Sequence, residues 1–140
     1  MFQKQKSFAI FFAIFFGLLG TIALASTPSL KIREGNNSYG KVILTVTGDK
    51  VRVGASSYGP IVFTIDGTKI REGNSSYGPV LSVVTGNGQV RLGASEYGKV
   101  IATITGNSIR EGNSAYGRII ANVEGGQMSG AAAATFLLLR

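Results

Sequence analysis

Five arginines and five tyrosines are the residues of this chain whose type and spacing could do chemistry. Arg33, Arg52, Arg71, Arg91 and Arg110 stand six residues before Tyr39, Tyr58, Tyr77, Tyr97 and Tyr116 respectively. The tyrosines follow one another at steps of 19, 19, 20 and 19 residues. If the units that carry them are related by rotation, five guanidinium groups form one ring and five phenols another. A guanidinium ring can hold a polyanion or an acidic sugar through paired hydrogen bonds, and phenol faces can stack on sugars or bases. These ten residues are the candidate ligand-binding set. The same spacing also suits a joint, in which each Arg lies over its Tyr and donates to loop carbonyls of the next unit. A joint is the expected role, because repeat folds must repeat their contacts whether or not those contacts bind anything.

Most other chemistry is excluded by composition. The 140 residues include no His and no Cys. That removes thiol and imidazole nucleophiles, imidazole bases, disulfides, and metal sites built from thiolate and imidazole. No catalytic residue, metal or cofactor is expected. Glu34, Glu72 and Glu111 follow the Arg in the first, third and fifth copies, while Val53 and Leu92 take that place in the others. A carboxylate pair can act on a sugar. Pairing with Arg on a solvated edge is the simpler expectation. Ser56, Ser75, Ser95 and Ser114, with Asn37 in the first copy, stand two residues before each Tyr and read as turn formers. No Walker loop, dinucleotide fingerprint or calcium-loop spacing occurs; the glycines punctuate hairpins.

The first 25 residues read as an address. Lys4 and Lys6 precede an apolar run from Phe8 to Leu19, broken only by Gly17, and Ala23-Leu24-Ala25 offers a cleavage site. A signal peptide over residues 1–25 is expected, leaving no transmembrane segment after cleavage. The mature chain is then one repeat domain over residues 26–140. Its units cover 30–48, 49–67, 68–86, 87–106 and 107–125, and a tail covers 126–140. The formal charge of the whole chain is +7; beyond residue 25, twelve cations and seven acids leave +5. In the periplasm, at the cell surface or outside the cell, that charge favours anionic glycans or lipid headgroups as partners and not nucleic acid.

Each unit supplies two short strands and two turns. After each Tyr-Gly comes a β-branched run; in the first, Val42, Leu44 and Val46 fall on one face and Thr45 and Thr47 on the other. The middle member of that trio shrinks along the chain, from Leu44 and Phe63 to Ser82, Ala102 and Ala121, which predicts an asymmetric core. A shorter strand of the Lys31–Glu34 type precedes each Tyr loop. Nineteen residues are too few for a propeller blade. An all-β, closed radial array of five hairpins or an open solenoid remains, and the lack of a polar cap on the first unit favours the closed array. The tail predicts a short helix over Ala131–Leu139 with Ser129 as its cap, since Ala and Leu are strong helix formers. Its echo of Gly88-Gln89-Val90 in Gly126-Gln127-Met128 leaves a decayed sixth unit as the alternative. Either way its apolarity requires it to pack on the repeats, over one end of their core.

The repeated phrase of the IREGNSSYG type, with a Gly turn after each strand, resembles the repeat of the five-fold beta-flower proteins, small exported bacterial proteins. The resemblance covers Leu30 to about Gly125 and extends to the Ala- and Leu-rich tail. It implies a radial arrangement of β-hairpins and no activity. The expected function is a non-enzymatic structural or interaction role in the cell envelope. A glycan- or polyanion-binding module built on the Arg and Tyr positions is the alternative.

Overall fold

β-branched residues line the runs after each Tyr-Gly, and glycines break the chain on either side, so short antiparallel strands follow. A computed structural model describes residues 28–139. The expected signal peptide lies outside the described residues. Ten strands run in order: β1 Ser29–Glu34, β2 Val42–Thr47, β3 Lys50–Val53, β4 Ile61–Asp66, β5 Lys69–Glu72, β6 Val80–Thr85, β7 Gln89–Leu92, β8 Val100–Thr105, β9 Ser108–Glu111 and β10 Ile119–Val123. Each pairs with its neighbours in sequence, and β10 returns to pair with β1, where Ile32 lies opposite Val123. The result is a closed barrel. Separate petals would each leave two strand edges unpaired, and closure removes all of them.

The barrel has two unlike ends. Turns such as Gly48-Asp49 and Gly67-Thr68 close one end, and the five longer Tyr loops gather at the other. Beside every Tyr loop the register slips, between Ile32 and Arg33, Val51 and Arg52, Ile70 and Arg71, and Val90 and Arg91, and again in β10 between Ile119 and Ala121. This bulge corrects the simple alternation expected for the Val42 run. Val42 lies opposite the outward Arg33, and Ile43 packs on the core instead. Each bulged residue also accepts a backbone hydrogen bond from a loop glycine of the adjoining unit, as from Gly54 N–H to the Ile43 carbonyl at 2.8 Å. The bulge therefore ties unit to unit.

The tail is a helix, α1, over Gln127–Leu139. It does not cap the core; it is the core's centre. Ser129 to Thr135 are buried without a break, so the helix is covered on every side. It touches β1, β4, β5, β6, β8, β9 and β10, a set that encircles it. An apolar helix with no polar face is the kind that belongs in an interior. Ala131–Ala134, all fully buried, keep it thin enough to fit within ten strands. Gly130 is needed for the same reason, since a Cβ there would meet the Ile109 Cδ1 at 2.6 Å.

This helix explains the shrinking trio. It lies closest to β6, β8 and β10, which present Ser82, Ala102 and Ala121. Leu44 and Phe63, both fully buried, fill the side it leaves open. The buried Ser82 hydroxyl meets that of Thr135 at 2.7 Å, and Thr135 also donates to the Ala131 carbonyl at 2.7 Å. A polar pair inside an apolar barrel thereby fixes the helix in depth and rotation. Outward positions of β1, β3, β5, β7 and β9 carry Arg with Lys, Gln or Ser, and those of the strands between them mix Thr with Val and Ile.

Candidate functional site

The repeated Arg and Tyr positions meet at the loop end of the barrel, where they do different things. Each guanidinium donates through Nη1 to the carbonyl of the glycine that follows its own loop's Tyr. Arg33 reaches Gly40, Arg52 reaches Gly59 and Arg71 reaches Gly78, each at 2.8 Å; Arg91 reaches Gly98 and Arg110 reaches Gly117, each at 2.9 Å. The expected joint is therefore present, but it closes a loop on itself and does not reach the next unit. The tyrosines take no part in it. Tyr39, Tyr58, Tyr77, Tyr97 and Tyr116 are 90–95% exposed, so no guanidinium lies over a phenol ring.

Further bonds make each loop rigid. The side chain two residues before the Tyr accepts the Tyr backbone N–H: Asn37 at 2.7 Å, and Ser56, Ser75, Ser95 and Ser114 at 3.0 Å. The residue after each Arg donates its N–H across the loop, as Glu72 does to the Pro79 carbonyl at 2.9 Å. The glycine after the Tyr must be glycine because the chain passes against its own backbone there; a Cβ on Gly78 would collide with the Glu72 carbonyl oxygen. In three units the Arg Nε is also engaged, by Asp66 at 2.8 Å and by Thr85 and Thr105 at 3.2 Å each. The matching pair in the second unit, Thr47 and Arg52, supplies the two buried side-chain atoms without a hydrogen bond among the described residues.

Sequence reasoning missed what lies between the loops. The C-terminal turn of α1 emerges among them, so Phe136, Leu137 and Leu138 pack on the core beside Ile43, Leu81 and Ile101. Grooves open between this helix end and the loops. One of about 300 Å³ is lined by Glu34, Arg118, Ile120 and Leu138, and another of about 270 Å³ by Lys41, Ile43, Val53 and Phe136. The alternating carboxylates sit on this rim and are exposed. Glu111 pairs with Arg118 at 2.9 Å, one instance, in the fifth unit, of the solvated pairing expected. The signal for the groove floor was present in the Leu-rich tail, but only barrel closure shows where the tail ends.

A family model described as "6-fold beta flower protein" matches residues 32–138. The chain belongs to the beta-flower family. The resemblance carried by the repeat pointed to the five-fold proteins, and the matched family is described as six-fold. No curated protein and no solved structure matches this beta-flower chain.

Proposed function

We propose that this beta-flower protein is an exported, non-enzymatic interaction protein of the cell envelope, holding saccharide chains against its five tyrosines. One observation carries the reading: in every loop the Arg is engaged by the backbone and the Tyr is left in solvent. An aromatic ring that packs on nothing adds nothing to the fold, yet each of the five loops presents one. Tyr offers a rigid, flat, amphipathic contact at low entropic cost. Five weak contacts on one rigid frame give avidity for a polymer that none gives alone. We read the order as five-fold and flower-like, a reading supported by five Arg–Tyr spacings and by ten strands in five pairs. The Arg half of the original candidate set serves this reading indirectly, by holding the loops still.

The test is sedimentation with insoluble cell-wall polysaccharide, using a variant with Tyr58, Tyr77 and Tyr97 replaced by Ala. Three lost stacking contacts should weaken binding at least about tenfold, a change of about 1.4 kcal/mol or more. Replacing the same three by Phe should retain most of it. Equal binding by the Ala variant would sink the proposal. Export is tested separately: N-terminal sequencing of the secreted protein should begin at Ser26, and an intact Met1 end would contradict it.

A further inference from the structure

The outer wall of the barrel carries a second pattern that the tyrosine end does not use. Two residues before the repeated Arg stand Lys31, Lys50 and Lys69 in the first three units, but Gln89 and Ser108 in the last two. Ile32, Val51 and Ile70, which lie between each Lys and its Arg, are fully buried. Lys and Arg therefore share the outward face of β1, β3 and β5. Closure places these strands side by side with only β2 and β4 between them. Thr45 stands opposite Lys31 and Arg52, and Thr64 opposite Lys50 and Arg71. From strand geometry the Cα atoms of the Lys and Arg in a column are about 6.7 Å apart, and those of successive columns about 9.5 Å apart.

Two of the three ammonium groups are held in place. Lys31 Nζ donates to the Ala55 carbonyl at 2.7 Å and to Thr45 at 3.5 Å, and Lys50 Nζ donates to Thr64 at 3.2 Å. An ammonium has three donors, so each keeps at least one for a ligand. Five carboxylates border the wall: Glu34 and Glu72, exposed at the loop end of β1 and β5, and three toward the turn end. Asp66 pairs with Arg71 at 2.8 Å, Glu124 accepts the Lys31 backbone N–H at 3.0 Å, and Asp49 sits in the turn before Lys50. Six cations outnumber them.

We infer that the wall over β1, β3 and β5 is a docking track for a linear anionic glycan bearing carboxylate or sulfate groups along its length. The convex curvature selects the partner. A flat bilayer can engage about one column at a time, whereas a flexible chain can follow the wall across three. Duplex nucleic acid fits worse still, with a charge about every 1.7 Å and a persistence length of about 50 nm. Sparse columns match a polymer whose charges are correspondingly sparse.

The experiment measures binding of the mature protein to polygalacturonate and chondroitin sulfate. Neutral dextran, anionic phosphatidylglycerol vesicles and duplex DNA are run in parallel. Both anionic glycans should bind, and more tightly at an ionic strength of about 0.01 M than at about 0.1 M, where the screening length falls from roughly 30 to 10 Å. The double variant Lys50→Gln/Lys69→Gln should lose about tenfold or more in affinity while its melting curve stays put. Conversely, Gln89→Lys/Ser108→Lys extends the track onto β7 and β9 and should tighten binding several-fold. The Tyr58, Tyr77 and Tyr97 to Ala variant should keep the parent's dependence on ionic strength and its loss on Lys50→Gln/Lys69→Gln, which separates the track from the tyrosine face. Failure of both anionic glycans to bind, or unchanged affinity in the Lys variant, overturns the inference. So does tighter binding to vesicles, DNA or neutral dextran.

Discussion

Phe63→Ala should destabilise the barrel by about 3–5 kcal/mol, the usual range for losing a fully buried aromatic. Phe63 is the largest of the fully buried side chains. It stands on β4, on the side of the interior that α1 leaves open, so no neighbour is placed to fill its volume. The barrel cannot shrink around the hole, because ten continuous pairings fix its circumference. Nor can the helix slide across, since Thr135 is hydrogen-bonded to Ser82 on β6. For a domain of this size the loss corresponds to a fall of roughly 10–25 °C in Tm, read by calorimetry or circular dichroism. Adding Ala102→Phe, which restores the lost volume on β8, should make matters worse, because the helix already lies there. Rescue by that second change, or a loss under about 1 kcal/mol, would show that the helix can recentre.

Part of this packing was legible in the sequence. The fall from Leu44 and Phe63 to Ser82, Ala102 and Ala121 announced an uneven interior, and the Ala-rich tail announced a helix. What joins the two facts was hidden: small residues on three strands are where the helix passes. Neither periodicity nor propensity says that a tail enters the barrel instead of lying over one end. The bulge was hidden for a different reason. Val42 and Ile43 are both β-branched and apolar, so alternation alone cannot say which faces inward. Closure into a barrel depends on strand number and stagger, which a 19-residue period leaves unspecified.

At the loops, the constant spacing revealed a joint and misassigned its partner. Among the groups that recur at fixed offset from each Arg are the Tyr at six residues and the Gly at seven, and the Tyr drew the attention. The Gly is the one bonded, through its carbonyl. A requirement for glycine immediately after the Tyr was the available clue, since a residue without a side chain lets the backbone approach closely enough to be held. The basic columns on the wall recur 19 residues apart in the linear sequence, where they read only as part of the net charge.

Arg71 and Tyr77 should therefore behave as independent residues. Arg71→Ala removes the donor to the Gly78 carbonyl and the partner of Asp66, with the arginine side chain only 20% exposed. The surface ion pair contributes little, because the Asp66 side chain is 45% exposed and screened by water. Most of the expected loss, about 1–3 kcal/mol, comes from the loop carbonyl left without its charged donor and from the packing of the arginine stem. Arg71→Lys should recover only part, since one ammonium cannot reach Gly78 and Asp66 with the geometry of the guanidinium fork. Tyr77→Ala, at a site 93% exposed, should stay within about 0.5 kcal/mol of the parent. The double variant should equal the sum of the singles to within about 0.5 kcal/mol. A coupling well above that would place the phenol in the joint after all, and would remove the main reason for reading the tyrosines as a binding face.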